Sequence, residues 1–528
     1  MGIPSYYKKL INTVNGLVSK GHPNDDIDWL FMDFNCLIYH CLYREDTPKY
    51  TPENKEEWEA QFLECIVKYC LKVVKEVGPK CGVYIAIDGV VPMAKMRQQR
   101  LRRFKSAWLS NTSGGDTITW DKNSITPGTA FMKKLRGRLE TMISKHGKKS
   151  WVLSSSDEPG EGEHKIVAEW RKGECKGNFA VYGLDADLIV LTILGRELLP
   201  KINNVWLFRE EVNAGKITYD DYGEEVFEWF SINTLRNWLA SGFTLEQDKI
   251  FILNYCFAMS VLGNDFLPSS LGLKIRDDGH GELLEIIRNM TSKNMQIINP
   301  DTLEISVEHL LYLFVILSND EAERITKYVL KKQMMSRNLG DEESIKLGEN
   351  NWPLAHIEES VLVYNRHLVP DWKTKYITHF FQGFNYIKND INRICQEYLY
   401  GIQWIWAYYT GQGGQVCFNW FYPHNLPPLW TMLTEYLKTF DKLPTFPGNI
   451  ALKAHDIKTV EQLALVLPLE SWSLIPECSE RLLPNIAPQF YPSSFTFESI
   501  GKRFFWECES MIPLPSILEI KQIIQHHT

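Results

Sequence analysis

The pattern of apolar and polar positions divides the chain into two parts. Before about residue 290, short β-rich apolar runs alternate with longer amphipathic segments such as Glu56–Val77 and Ala130–His146. Such alternation is typical of a mainly parallel sheet with helices on both faces, so we expect an α/β fold here. The predicted strands are Trp29–Phe34, Gly82–Asp88, Trp151–Ser155, Phe179–Asp185 and Val205–Phe208.

Beyond about residue 300 the pattern becomes mostly helical and rich in Trp and Tyr. The polar stretch Ser336–Asn351 predicts a surface loop or a short linker. We therefore predict a catalytic α/β core over residues 1–290 and a second, mostly helical, aromatic-rich region over residues 300–528.

Composition limits the functional classes. The chain has 528 residues, 44% hydrophobic and 23% charged, which excludes a mainly disordered or fibrous protein. Its net charge of −8 means that any polyanionic partner must be held by a local basic patch. The eleven cysteines form no C-x-x-C pair, which favours reduced thiols in a cytosolic or nuclear protein. With no apolar signal core in Met1–Leu10, we expect a soluble intracellular protein.

Acidic residues follow three of the predicted strands. Asp33, Asp88 and the pair Asp185 and Asp187 each come where an apolar run ends. Because ligands of parallel sheets bind at the carboxyl ends of the strands, we expect these acids to meet at one edge. Closely spaced carboxylates repel each other unless a cation lies among them. The spacing therefore indicates a metal site.

Two further motifs add carboxylates to this group. Glu161 and Glu163 fall in the first turn of a predicted helix, and Asp265 follows the apolar helix that ends near Leu262. Each acid taken alone is also typical of a turn or a helix cap, and only the combination favours a metal site. Oxygen ligands suit Mg²⁺ or Mn²⁺. Seven acids exceed the needs of one octahedral ion, so two ions about 4 Å apart, the arrangement used for displacement at phosphorus, are expected.

A cationic segment, here called the basic arm, covers residues 95–105 directly after Asp88 and its loop. On a helix, Lys95, Gln99, Arg102 and Arg103 share one side and can form a pocket of phosphate donors. The alternative is a solvated basic face or a localisation signal. Its place beside the predicted metal site favours recognition of a terminal phosphate.

Aromatic residues offer faces on which the bases of single-stranded nucleic acid can stack. The candidates are Tyr39 and His40 after Asp33, and Phe418 and Trp420 in the second region. Most tryptophans are expected in the core, and for Tyr39 and Trp420 both roles stay open.

These motifs resemble the XRN family of 5′→3′ exoribonucleases along the whole chain. The matching segments are Met1-Gly-Ile-Pro4, Met32-Asp-Phe-Asn35, Asp88-Gly-Val-Val-Pro92, Glu158-Pro-Gly-Glu-Gly-Glu-His164, Tyr182-Gly-Leu-Asp-Ala-Asp187, Gly263-Asn-Asp-Phe-Leu-Pro268, Tyr400-Gly-Ile-Gln-Trp404 and Trp420-Phe-Tyr-Pro423. The resemblance implies an α/β core like that of PIN and flap nucleases, wrapped by the second region. It implies metal binding by all seven acids and a 5′-monophosphate pocket of Lys95, Gln99, Arg102 and Arg103.

The implied reaction is processive degradation of decapped, 5′-monophosphorylated RNA to mononucleotides, with a role in mRNA decay. The expected partners are single-stranded RNA and the decapping machinery, and we expect a cytoplasmic monomer. Tyr39 stands where the family usually has His, and Phe418 and Phe421 replace a Trp and a Tyr. The chain stops before the long C-terminal domains of large members, which predicts a minimal member. A DNA flap nuclease, which shares the acids, and a non-catalytic RNA scaffold are the alternatives.

Overall fold

The structure, a computed structural model, describes residues 6–44, 47–112, 119–147, 150–183, 185–213, 216–337, 354, 356–412, 416–445 and 452–527. The Met1–Pro4 motif and residues 338–351 of the predicted loop lie outside these ranges. The strands are β1 Val18–Ser19, β2 Trp29–Asp33, β3 Gly82–Ala86, β4 Trp151–Ser154, β5 Gly177–Tyr182, β6 Ile202–Glu210, β7 Val212–Asn213, β8 Lys216–Ile217, β9 Phe227–Ser231, β10 Val363–Tyr364, β11 His367–Leu368, β12 Thr496–Glu498 and β13 Glu509–Met511.

The helices dominate the second half of the chain. Their bounds are α1 Tyr6–Thr13, α2 Phe34–Leu42, α3 Lys55–Val77, α4 Met93–Thr112, α5 Ala130–His146, α6 Gly162–Lys172, α7 Asp187–Leu198, α8 Ile232–Leu239, α9 Leu245–Ala258, α10 Gly279–Ser292, α11 Val307–Asn319, α12 Glu321–Arg337, α13 Trp372–Phe380, α14 Lys388–Thr410, α15 Trp430–Leu437, α16 Thr459–Val466, α17 Leu483–Ile486 and α18 Ile517–His527. Within the described ranges, no helix has the length and apolar character needed to cross a membrane.

The central sheet confirms the α/β prediction. Among the described residues its seven strands lie in the order β1-β9-β6-β5-β2-β3-β4. The five strands from β6 to β4 are parallel, and they are the five that the apolar runs predict. At one edge of the sheet, β9 pairs antiparallel with β6, and β1 pairs antiparallel with β9. The sequence pattern missed both, because β1 is two residues long and β9 leads directly into a helix.

Apolar layers cover both faces of this sheet. Along β2, Phe31 packs into the core on one face while Leu30 and Met32 pack into the core on the other. Continuous apolar runs are expected of parallel strands buried on both faces. The core that contains Phe31 also includes Trp404 and Tyr408 of α14, so the second region helps to cover the sheet. The boundary near residue 300 stays a prediction.

Helix α4, which carries the basic arm, is held against the second region along its apolar side. Met96 and Phe104 pack in a third core with Leu463 and Leu483. Arg100 between them is fully buried. Its guanidinium donates to the carbonyl oxygens of Leu465 (2.6 Å), Pro513 (3.1 Å) and Phe490. This arginine therefore braces α4 against the second region and is not available to a phosphate.

Replacing Arg100 with Met should destabilise the protein, lowering the free energy of unfolding by about 3 kcal/mol. The change removes the donor from three carbonyl groups, of which that of Leu465 is buried and the other two are partly buried. Urea unfolding followed by tryptophan fluorescence measures the effect. The control is Arg138→Met on the exposed face of α5, which should change stability by less than about 0.5 kcal/mol. Equal midpoints for the two variants would contradict the bracing role.

Candidate active site

The parallel register brings the strand-end aspartates together. Asp33 is the last residue of β2 and pairs in register with Ala86 of β3, two residues before Asp88. On the other side of β2, Met32 pairs with Tyr182 of β5, three residues before Asp185. Burial, and then the charges of Asp88 and Asp185, raise the pKa of Asp33, so the three carboxyl groups lie near one another. The parallel register thus brings these acids to one sheet edge, where the sequence pattern places them.

The chain enters α6 in close contact with these acids. The Gly162 N–H donates to Asp88 Oδ1 at 2.7 Å, and the Asn35 side chain donates to Asp88 Oδ2 at 3.0 Å. A Cβ atom on Gly162 would lie 2.6 Å from Asp33 Oδ1. Only glycine therefore permits this approach of the helix to the two carboxylates.

Replacing Gly162 with Ala should lower the catalytic rate of this site at least about tenfold, because the new methyl group displaces the Asp33 carboxylate. Alanine is otherwise the better helix former, so the fold should survive. The matched control is Gly137→Ala in α5, where a Cβ meets no atom within 4 Å. Steady-state rates and circular dichroism of both variants test this. Full activity of Gly162→Ala would show that the carboxylate has room to move.

Glu161 and Glu163 point from the start of α6 into the same interior, and both are buried. The Tyr408 hydroxyl, from α14, donates to Glu161 Oε1 at 2.9 Å. The His164 ring stacks on Tyr408 with centroids 3.6 Å apart, and carboxylate oxygens of both glutamates lie within 4.8 Å of a ring nitrogen of His164. The sequence motif contains His164, but nothing in the sequence pointed to Tyr408, which lies about 245 residues from the motif.

Asp187 and Asp265 complete the group of seven carboxylates, which we call the acid cluster. Asp187 begins α7, and its Oδ1 is buried without a hydrogen-bond partner among the described residues. Lys95 of the basic arm lies against the other side of the cluster. Its Nζ contacts Glu161 Oε2 at 2.7 Å and Asp265 Oδ2 at 2.8 Å. A single ammonium group therefore joins the motif at α6 to the loop after α9.

Burial and mutual repulsion govern the protonation of the acid cluster. Burial, with the charge of Asp88, raises the pKa of Asp33 to about 8, and burial with the charge of Asp265 raises the pKa of Asp187 to about 8. Burial and then Glu161 raise the pKa of Glu163 well above its usual value. Asp265 is the exception, since Lys95 outweighs burial and lowers its pKa. Lys95 alone thus leaves most of the repulsion uncompensated.

The acid cluster fits a hard divalent cation. It offers carboxylate oxygens from five segments, of which Asp33, Glu161, Glu163 and Asp187 are buried and the others half-buried. Asp187 Oδ1 has no partner among the described residues, and one lysine does not neutralise the negative charge. Such oxygen-rich sites suit Mg²⁺ or Mn²⁺. His164, an imidazole beside the two glutamates, does not change this preference, because the carboxylate oxygens outnumber its ring nitrogens.

The predicted phosphate-binding residues occupy one side of α4 next to the acid cluster. Gln99 and Arg103 are buried, and Gln99 Oε1 and Arg103 Nη1 have no hydrogen-bond partner among the described residues. Arg102 is exposed. The sequence predicts that the Lys95 ammonium group donates to a bound phosphate. In the structure, both of its short contacts are instead to carboxylates. It therefore lies at the border between the acid cluster and the three other residues.

The aromatic candidates differ in accessibility. Tyr39 is half-buried and lies near Arg103. Trp420 is half-buried and packs on Trp404, with ring centroids 5.1 Å apart. Phe418 is half-buried, and its carbonyl accepts from the N–H of Met93 at the start of α4.

His40 requires a correction to the stacking prediction. Its side chain is 5% exposed, and its Nε2 lies 3.0 Å from Glu225 Oε1. Its ring packs on Tyr69 with centroids 4.4 Å apart. These contacts leave no open ring face for a base, because His40 points from α2 towards α3. Its role is structural.

Comparison with known proteins agrees with this arrangement. The family model described as "XRN 5'-3' exonuclease N-terminus" matches residues 1–211, and the model described as "Xrn1 helical domain" matches residues 365–524. The first match contains six residues of the acid cluster and the basic arm, and the second contains Tyr408 and Trp420.

Curated proteins align with nearly the whole chain. The 5'-3' exoribonuclease 1 of Homo sapiens is 27% identical, over 100% of this chain and 34% of the human protein. The 5'-3' exoribonuclease 1 of Schizosaccharomyces pombe is 25% identical, over 97% of this chain and 47% of that protein. The 5'-3' exoribonuclease 2 of Debaryomyces hansenii is 24% identical, over 94% of this chain and 65% of that protein. The chain thus spans between a third and two thirds of the length of these relatives. Both family models and these alignments agree with the site geometry, and the chain belongs to the XRN family.

Proposed function

We propose that this protein is a metal-dependent 5′→3′ exoribonuclease that degrades 5′-monophosphorylated RNA processively to mononucleotides. One observation carries the proposal: through Lys95, the acid cluster contacts the helix that carries Gln99 and Arg103, whose buried Oε1 and Nη1 atoms have no hydrogen-bond partner within the described ranges. A cation site and a phosphate site side by side suit cleavage of the bond next to a 5′-phosphate. Relatives named 5'-3' exoribonucleases support the same activity.

The acid cluster is proposed to bind two divalent cations, Mg²⁺ or in its place Mn²⁺. When bound, such ions supply positive charge that activates water and stabilises the leaving oxygen. The chain's own groups fix the carboxylates beforehand. Gly162 and Asn35 orient Asp88, Tyr408 orients Glu161, and Lys95 holds Asp265. This preorganisation lowers the cost of assembling the site.

The 5′-phosphate is proposed to bind Gln99, Arg102 and Arg103, with Lys95 at its inner side. Arginine is suited to two-pronged contacts with phosphate oxygens. Water attacks the next phosphorus, the bond from that phosphorus to the 3′ oxygen of the first nucleotide breaks, and the 3′ oxygen takes up a proton. The shortened RNA then carries a new 5′-phosphate, which is the group that the pocket recognises. This regeneration of the recognised end supports processive action.

Base stacking is proposed for Tyr39 and Trp420, because both rings are half-buried and so leave part of their surface open to a base. Tyr in place of the usual His keeps an aromatic face, which is what sequence-independent stacking requires. The biological role that follows is decay of decapped mRNA by a cytoplasmic monomer that receives its substrate from the decapping machinery.

A digestion of matched RNAs tests the proposed activity. RNAs with a 5′-monophosphate, hydroxyl, triphosphate or cap are incubated with Mg²⁺ or with EDTA. We expect rapid release of mononucleotides only from the 5′-monophosphate substrate with Mg²⁺, because the pocket accommodates one phosphate. Cleavage of a 5′-flap DNA but not of RNA would favour the flap-nuclease alternative, and binding without cleavage of any substrate would favour an RNA scaffold.

A further inference from the structure

A cavity of about 470 Å³ lies on the flank of α4 next to the predicted phosphate-binding side. Its walls are α4, the loop 262–276 and the segment 500–509. Arg102 belongs to the edge of α4 that both sides share, and Asp265 of the acid cluster also lines the cavity. The cavity therefore opens beside the proposed reaction centre without including the strand-end acids. Its volume falls within the range of roughly 300–1,000 Å³ that small-molecule sites occupy.

The cavity carries an excess of positive charge. Seven Lys and Arg side chains line it against three carboxylates. The carboxylates already have cationic partners: Glu507 contacts Arg276 at 2.9 Å, and Glu509 lies 3.7 Å from Arg97 and 4.0 Å from Lys502. Asp265 contacts Lys95. The cations that these contacts leave over include Lys105 and Lys274, whereas Arg503 pairs with Asp277 outside the lining.

Two lysines of this lining make no ion pair in the described part of the chain. Lys105 is buried and donates to the carbonyl oxygens of Cys508, at 2.9 Å, and Phe505. Lys274 is half-buried and donates to Ser269 Oγ at 2.9 Å. Burial lowers the pKa of Lys105 to about 8 and that of Lys274 to about 7. Holding cations in this way is costly unless an anion binds there.

An aromatic group completes the lining. Trp506 is 41% exposed, and the Arg276 guanidinium lies over its ring, 4.9 Å from the centroid. Because Trp506 lines the cavity and is only partly covered, its indole offers an aromatic surface to a base. Cations for a phosphate and an aromatic ring for a base together describe a nucleotide site.

We propose that this cavity binds the released nucleoside 5′-monophosphate, with its phosphate at Lys105 and Lys274 and its base at Trp506. The inference rests on the proposed function, because the reaction supplies this product beside Asp265. The phosphate of a passing RNA strand offers the same chemistry, but a cavity of about 470 Å³, the size of a small-molecule site, favours a single nucleotide. A mononucleotide bound in this cavity is the reaction product after it has left the acid cluster and before it is released to solvent.

Direct binding of AMP tests the proposal without any turnover, so it stands or falls separately from the nuclease assay. Isothermal titration compares AMP with adenosine, which lacks the phosphate, on the full chain. We expect Lys274→Met to weaken AMP binding at least tenfold. Adenosine should bind the wild-type protein no more tightly than AMP binds the Lys274→Met variant. The matched control is Lys133→Met, an exposed lysine on α5, which should bind AMP as the wild type does.

Two outcomes overturn the proposal. If Arg103→Met abolishes AMP binding and Lys274→Met does not change it, AMP binds only in the 5′-phosphate pocket. If Lys274→Met weakens binding of 5′-phosphorylated RNA as much as that of AMP, the cavity holds RNA backbone. A measurement on the wild type does not depend on whether a variant folds. AMP should inhibit RNA hydrolysis by the wild type in a mode that is not competitive with RNA. Purely competitive inhibition would contradict a separate AMP site.

Discussion

Replacing Asp187 with Asn should abolish RNA hydrolysis, lowering the single-turnover rate on 5′-monophosphorylated RNA at least about 1,000-fold. Asparagine keeps the shape of the side chain but removes the charge of the cluster carboxylate whose buried Oδ1 has no hydrogen-bond partner in the described chain. That oxygen is therefore the one most clearly free to bind a cation. RNA binding should persist, because the phosphate-binding side of α4 is unchanged.

The same substitution should not harm the fold. Burial and the charge of Asp265 raise the pKa of Asp187, so the ionised carboxylate is a cost to the metal-free protein. In EDTA, Asp187→Asn should melt at the same temperature as the wild type or higher. Asp221→Asn, on an exposed turn, is the control for charge loss and should keep full activity. A rate for Asp187→Asn within tenfold of the wild type would remove Asp187 from the metal site.

The sequence predicted the part of the site that depends on local order. Asp33, Asp88 and Asp185 meet because parallel strands share an edge, and this follows from the order of apolar runs and acids alone. The bounds of helix α5 and the presence of the five central strands follow for the same reason. These features depend on neighbours in sequence and on sheet geometry, which are regular.

Features that depend on distant packing could not be predicted. Lys95 contacts Asp265, which lies 170 residues away, and Tyr408 reaches Glu161 from the second region, 247 residues away. Arg100 looks in sequence like the other cations of the basic arm, yet its burial follows from the docking of the second region. His40 likewise looks available for stacking until the position of Glu225 is known. In each case a partner far along the chain decides the role.

Replacing Arg103 with Met should lower kcat/KM for 5′-monophosphorylated RNA about 100-fold, since a buried charged contact to phosphate contributes several kcal/mol. Arg103 is buried, its Nη1 has no hydrogen-bond partner among the described residues, and burial lowers its pKa to about 10. A buried guanidinium with an N–H group that has no partner in the described chain is suited to bind an anion. The rate on 5′-hydroxyl RNA should not change, so the preference for the phosphorylated end should disappear.

Two further variants separate phosphate recognition from general loss of charge. Arg103→Lys should give an intermediate rate, because a lysine ammonium offers a point charge but not the planar fork of arginine. Arg138→Met removes an exposed charge on α5 and should keep the end preference. Competition between 5′-phosphorylated and 5′-hydroxyl RNAs of one sequence measures the preference directly. If Arg103→Met retains the wild-type preference, this side of α4 contacts the RNA backbone in general, and selection of the 5′ end must arise from other groups around the acid cluster.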